Sequence, residues 1–410
     1  MLKLTVPDEA NRTVPLFRLA FRPFFLGGVL FSLLALSLWA VFWITGLDWV
    51  PYGGWIWWHA HEMLYGFVVA IIVGFLLTAV QNWTGQESIT GWPLAGLFTL
   101  WLLPRGLLLY PIAPVESLLP WLDLAFLPVV AWVMGRILWR ARQFVNLVFV
   151  PILLLLTIAN AQMHWAVVQG DAVLFRDAAE STIFIIVLVT VVMGGRVIPF
   201  FTASSTVTPS VLPNPVIELL SLGSVALLAL LHLFSLIQHL SSLLVAGIFL
   251  VAGLGHLLRF LRWRPWITYK EPLLWSLHLA YLFIALGFIL CALRYAGLSL
   301  DVLSRFTALY PTILHSFTLG GMGLLILAMM SRVSLGHTGR PLVVSPWVSF
   351  SFLCIIAAYV SRVWLPLLSP ATSHYSSYLL SIIFWLSGYG IFIFVYLPVL
   401  SKPRVDGQPG

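Results

Sequence analysis

Charge is what this sequence has least of. Only 9% of its 410 residues are Asp, Glu, Lys or Arg, against roughly 25% in a soluble domain. A chain so poor in charge has no means of covering a water-facing surface, so a soluble fold is excluded. Cysteine is scarce as well. Cys291 and Cys354 both fall inside apolar runs, which excludes a disulfide framework and a Cys-x-x-Cys metal site. They read as small buried hydrophobes. The alternating segments of a membrane β-barrel are missing. So is the early apolar stretch with a small-residue cleavage site that marks a signal peptide, and the first helix is expected to act as an uncleaved anchor. The net charge of +7 is not gathered beside aromatic platforms. It fits arginines facing anionic lipid and not a nucleic-acid partner.

What is present is apolar length. Hydrophobic residues make up 61% of the chain, and about 20 consecutive apolar residues span a bilayer as a helix. Runs of that kind predict an all-α polytopic membrane protein with twelve helices. They cover roughly residues 23–46, 57–81, 92–110, 118–139, 144–168, 177–200, 215–236, 240–261, 272–297, 305–332, 343–367 and 375–400. The fourth carries Pro120, Asp123 and Pro128 and is expected to bend. Short connections imply one integral membrane domain, residues 1–410, with residues 401–410 as a disordered tail.

The distribution of cations orients this set of helices. With both termini cytoplasmic, Arg105, Arg176, Arg294, Arg305 and Arg362 fall on the outer side, and the other sixteen of the 21 Lys and Arg residues fall inside. That asymmetry is the positive-inside signature. It implies a multi-pass protein with both termini on the inner side.

Two stretches echo each other without a gap. Laying His61 on His315 also brings Gly66 onto Gly320, Ile72 onto Ile326, Thr84 onto Thr338 and Gly85 onto Gly339. The sixth helix adds Met193, Arg196, Val197 and Thr202 over Met329, Arg332, Val333 and Thr338. The echo falls on helices 2, 6 and 10, which suggests three four-helix units. Chance likeness between apolar helices is the alternative.

Histidine carries most of the candidate chemistry. Ionisable groups at membrane depth are costly and usually face the bundle interior with a partner. Neutral imidazole is also a favoured ligand for haem iron, copper and zinc. His61 with Gly66, and His315 with Gly320, Gly321 and Gly323, meet the composition needed for a haem held between helices. The same glycines serve helix packing equally well. His59 and His61 point about 200° apart on a continuous helix, so they suit two sites. Glu62 shares a face with His59 and is a candidate to orient it. Tyr65 stands where a His-Glu-x-x-His zinc motif would need its second histidine, which rejects that motif. His164 and His278 are further candidate ligands. Arg105, Arg176 and Arg305 are the candidate cations for haem propionates.

Several strings then point to a family. Phe21-Arg22-Pro23-Phe24-Phe25, Trp58-His59-Ala60-His61-Glu62-Met63, Asn82-Trp83-Thr84-Gly85, Gly194-Gly195-Arg196-Val197-Ile198-Pro199-Phe200-Phe201, Leu277-His278-Leu279-Ala280-Tyr281 and Arg332-Val333-Ser334-Leu335-Gly336-His337-Thr338-Gly339-Arg340-Pro341 occur in this order over nearly the whole chain. The sequence resembles the NnrS family of membrane proteins. It departs at Gln81 and Ser316, neither of them a candidate ligand. The resemblance implies a twelve-helix inner-membrane protein holding non-covalent b-type haem and copper, in the response to nitric oxide and nitrosative stress. Nitric oxide or a related small molecule and an electron donor are the implied partners. It implies no particular reaction. In its architecture the chain is also similar to haem–copper oxidases, although the sixth helix has no histidine over 177–200. A secondary transporter without haem is the alternative from a different class.

Overall fold

The computed structural model describes residues 13–112, 115–297, 310–368 and 374–408. Among them there is no strand. Twelve helices are long and apolar enough to cross a membrane: α1 (Phe21–Thr45), α2 (Gly54–Thr84), α3 (Gly91–Leu109), α4 (Glu116–Arg140), α5 (Phe144–Gln169), α6 (Ala172–Thr206), α7 (Pro215–Leu233), α8 (Ser242–Arg262), α9 (Pro272–Tyr295), α10 (Tyr310–His337), α11 (Pro346–Leu368) and α12 (Tyr375–Ser401). The chain is a multi-pass membrane protein. Each expected helix appears, with ends shifted by a few residues. In hydrocarbon every backbone N–H and C=O needs an internal partner, so apolar runs of this length resolve as helices.

Local signals set many of the ends. Gly85 and Gly170 follow α2 and α5 in the left-handed conformation that closes a helix at little cost, and Gly46 follows α1 with a positive φ. Pro215, Pro272 and Pro346 open α7, α9 and α11, where the missing N–H would have had no helical partner. Asn214 caps α7 by accepting from the N–H groups of Val216 and Ile217. The bend expected in α4 falls at Ala125, between segments Leu119–Leu124 and Phe126–Arg140.

Three helices carry a π-helical segment. In α2 a π-helical segment, Glu62–Val68, follows His61 directly. In α10 the segment Ser316–Gly323 follows His315 directly. The third is Val360–Trp364 in α11. The gapless alignment of α2 with α10 is therefore matched in the backbone, since both helices widen at the same register. π segments of this kind concentrate at functional sites.

The described residues group into two compact units. The first comprises Met1–Asp171, Met330–Val343 and Phe392–Gly410. The second comprises Ala172–Met329 and Val344–Ile391.

In the first unit α1 packs on α2 through small residues. A Cβ at Gly74 would lie 2.8 Å from Phe24 Cβ, and one at Gly28 would lie 2.9 Å from Ile71 Cδ1. Phe21 N–H donates to Thr78 Oγ1 at 3.0 Å. Arg22 is fully buried and donates to the carbonyls of Leu400 at 2.8 Å and Lys402 at 2.7 Å. It thereby satisfies carbonyls that the end of α12 leaves without helical partners. For residues 401–408, expected to be a disordered tail, the structure describes anchoring bonds. Arg404 donates to His337 O, and Val405 N–H to Thr338 O.

The second unit is built around α9. Gly253 of α8 would place a Cβ 2.7 Å from Ile289, and Gly287 of α9 would place one 2.9 Å from the Phe317 ring. Close backbone approach through small residues is how helices gain packing contact in lipid. Arg259 of α8 is buried in this unit. It forks onto Glu218 through two bonds of 2.9 Å and donates to Tyr281 Oη at 2.5 Å. Tyr281 Oη also lies 2.7 Å from His256 Nδ1. Cys291 and Cys354 are both buried free thiols.

Candidate metal centre

The first unit brings four buried charged or titratable side chains of different helices, His61, Arg105, Asp123 and His164, to one place. Trp57, His61 and Tyr65 follow one another at intervals of four, so they share a face of α2. Their rings stack, with His61 4.4 Å from Trp57 and 5.1 Å from Tyr65 between centroids. Asn160 and His164 share a face of α5 by the same spacing. Tyr65 Oη donates to Leu156 O at 2.9 Å and Trp57 Nε1 to Met163 O at 3.0 Å. These two bonds hold the faces of α2 and α5 against each other. Asp123 comes from α4, just before its bend, and Arg105 from α3, one residue after Pro104.

Both ring nitrogens of His61 are engaged. Nδ1 lies 2.8 Å from Glu62 Oε1, and Nε2 lies 2.9 Å from Asn160 Oδ1 and 3.2 Å from Asp123 Oδ2. Asn160 Nδ2 donates to Asp123 Oδ2 at 2.7 Å, which sets the orientation of the amide. His164 Nε2 is also 3.2 Å from Asp123 Oδ2. Arg105 donates to Glu62 Oε1 at 2.7 Å and contacts Asp123 Oδ1 with its other amino group. All six side chains are buried. Two polar atoms of the cluster have no hydrogen bond among the described residues: His164 Nδ1 and Glu62 Oε2.

His61, Asp123 and His164 each bring one ligand atom within 4.8 Å of the other two. Two imidazoles and a carboxylate are a donor set that zinc, copper and non-haem iron accept. The residues present therefore fit a metal ion. Glu62 on His61 Nδ1 and Asn160 on Asp123 supply the outer hydrogen bonds that fix ligand orientation. Arg105 lies on both carboxylates and offsets their charge, so a bound cation would share Asp123 with it.

The structure treats the expected site residues unequally. It brings His61, Glu62, Arg105 and His164 together. Glu62, expected to orient His59, pairs with His61. Arg105, expected to face a haem propionate, pairs with Glu62 and Asp123. His59 stacks on Trp39 at 4.4 Å between centroids. His315 lies in the second unit, with Nδ1 2.7 Å from Pro311 O. His278, also in the second unit, has Nε2 2.9 Å from Thr202 Oγ1. Arg176 is largely exposed and lies 3.8 Å from Asp177. Arg305 lies outside the described residues. The glycines beside the two histidines seat neighbouring side chains. A Cβ at Gly66 would strike the Phe31 ring, one at Gly320 would lie 2.7 Å from Tyr359, and one at Gly323 would lie 2.7 Å from Trp385.

Sequence reasoning missed Asp123 and Asn160 as members of this site. A signal for Asp123 existed. Glu62, Arg105 and Asp123 are charges inside or bordering apolar runs, and such charges seek one another. Asn160 gave a weaker one, its position four residues before His164.

The family model described as NnrS protein matches residues 15–404, nearly the whole chain. Comparison with curated proteins finds no match.

Proposed function

The chain belongs to the NnrS family, and from that premise we propose that it is a membrane metalloprotein that protects a bacterial cell against nitric oxide and nitrosative stress. The buried His61–Asp123–His164 group is the observation that carries this reading. We assign it to a metal ion, with copper as the first choice. A metal held there supplies a centre at which nitric oxide binds. The protein's own residues do the rest. Glu62 holds the His61 ring through Nδ1 and leaves Nε2 for the metal, Asn160 holds Asp123, Asp123 is shared between the two imidazoles, and Trp57 and Tyr65 close over the ring faces. Burial of the cluster keeps bulk water away from it, which strengthens every charge interaction inside.

Non-covalent b-type haem is the second group proposed, with His315 of the second unit as its candidate ligand; His61, expected as the other ligand, is assigned to the metal group of the first unit. Each histidine stands at the junction where its helix passes from α to π. His315 Nδ1 is directed at a backbone carbonyl, the hydrogen bond by which ligating imidazoles are commonly oriented. The bacterial inner membrane, with both termini cytoplasmic, is the proposed location, as the arginine distribution supports. An electron donor is the proposed partner for redox turnover.

The test is metal analysis and an optical spectrum of the purified protein, oxidised and reduced, for the native chain and for His61→Ala, His164→Ala and His315→Ala. The expected result is copper lost in His61→Ala and His164→Ala, and a Soret band altered in His315→Ala. A native protein that carries neither copper nor haem after expression with both supplied sinks the proposal.

A further inference from the structure

The second unit contains a cavity of about 270 Å³, with charged side chains in its wall, that none of the preceding chemistry uses. Arg176, Asp177 and Glu180 face it from the first turns of α6, His232 from the last turn of α7, Arg294 from the end of α9, and Tyr310 from the start of α10. The spacing explains the first three, since residues three and four apart share a helix face.

The walls are charged, buried and incompletely bonded. His232 is 2% exposed, and neither ring nitrogen makes a hydrogen bond, although Nδ1 stands 3.4 Å from Glu180 Oε2. Asp177 is 1% exposed and its Oδ2 has no hydrogen-bond partner. The Nε of Arg294 is buried in the same condition. The Arg294 guanidinium lies 3.9 Å from the centroid of the Tyr310 ring, whose hydroxyl donates to Glu180 Oε2 at 2.6 Å. Arg176 stands at the rim, with 56% of its side chain exposed. Burying polar atoms without partners is costly, and native proteins do it rarely. Several such atoms facing one cavity point to a polar occupant.

The charge pattern selects its class. Two guanidinium groups and two carboxylates face the same space. A simple anion would be drawn to Arg294 and repelled by Asp177, and a simple cation would meet the reverse. A molecule carrying both charges satisfies both walls. The volume lies just below the roughly 300 Å³ at which drug-sized pockets begin, so the occupant is small. We propose that this cavity binds a zwitterion of amino-acid size. Its carboxylate lies toward Arg294 and Arg176, its ammonium toward Asp177, and His232 meets a polar atom between them.

The test is equilibrium binding of radiolabelled glycine, L-alanine and L-serine to the purified full-length protein in lipid nanodiscs. Competition by propionate, which lacks the ammonium group, and by ethylamine, which lacks the carboxylate, completes the design. Saturable binding of at least one amino acid is expected, with propionate and ethylamine at least tenfold weaker as competitors. Asp177→Asn and Arg294→Gln should each weaken that binding at least tenfold. If none of the three amino acids binds saturably, the cavity holds water and the proposal falls. It also falls if propionate or ethylamine competes as well as the amino acid. The competition series needs only the native chain, so it decides the matter even where a variant does not fold.

Discussion

Arg105 donates to Glu62 across 2.7 Å, and the two are buried together, on α3 and α2, within the first unit. The same guanidinium contacts Asp123 of α4. A buried pair contributes little net stability when intact, but removing one partner strands the other charge at a cost of about 3–5 kcal/mol. Arg105→Met leaves both carboxylates without their cation. It is expected to destabilise the protein by at least that range, read from thermal unfolding in detergent. Arg105→Lys keeps the charge and loses the planar fork, so its melting temperature should fall between the two. An unchanged melt in Arg105→Met would show that the cluster does not depend on Arg105.

Asn160 touches His61 at 2.9 Å and Asp123 at 2.7 Å without being one of the three expected metal donors. Outer groups that orient ligands typically contribute about 10–100-fold in metal affinity. Asn160→Ala should weaken copper binding by that factor, and His164→Ala by more. Titration against a competing chelator measures both. Equal affinity in the native protein and Asn160→Ala would remove Asn160 from the site.

The glycines differ in what surrounds them, which gives an internal control. Gly320→Ala would place its Cβ 2.7 Å from Tyr359 Cδ2, and Gly253→Ala would place its Cβ 2.7 Å from Ile289 and 3.1 Å from its backbone nitrogen. Overpacking of this kind costs about 1–3 kcal/mol. Gly96 of α3 has nothing within 4 Å of the same position. Gly96→Ala should be neutral or stabilising by up to about 1 kcal/mol through helix propensity. The order of the three melting temperatures is the readout.

Tyr281 joins His256 to Arg259 through a single hydroxyl, at 2.7 Å and 2.5 Å. Tyr281→Phe keeps the ring and leaves two buried polar partners short of a bond. The expected loss is about 1–3 kcal/mol. A melting temperature equal to the native one would mean that the network re-forms without the hydroxyl.

Asp406, outside the helices, accepts from Arg404 at 2.9 Å and 2.5 Å. The guanidinium holds its carboxyl down, from an ordinary 3.8 to about 2. A carboxylate depressed on folding contributes its stabilisation above its ordinary value and loses it as the pH falls through the lowered one. The tail anchor should therefore be intact at neutral pH and weaken between about 4 and about 2. Anisotropy of a dye attached after residue 408 follows this directly. Asp406→Asn should abolish the pH dependence.

The helices were legible because their cause is local. A run of about 20 apolar residues in hydrocarbon has one way to satisfy its own backbone, and that does not depend on what lies beside it. The register of α2 over α10 was legible for a similar reason. A histidine and, five residues on, a glycine recur at the same register, and both helices depart from α geometry after the histidine, at His61 and at His315. The family followed from strings whose order along the chain is itself a property of the sequence.

The partners of the buried charges were not legible in this way. His61 and Asn160 stand 99 residues apart, and Arg105 and Glu62 stand 43 apart. Which faces meet depends on how helices pack, and several packings satisfy the same backbone equally well. Glycine shows the same divide. Its presence beside a histidine is written in the sequence, but whether the space takes a cofactor or an aromatic ring is settled by neighbours such as Phe31 and Tyr359. The sequence by itself determined the number and length of the helices and the charges they had to bury. Only the tertiary structure decided that Asp123 and Asn160 complete the site around His61 and His164. Helix formation is a contract of each segment with its solvent, whereas side-chain pairing is settled between segments.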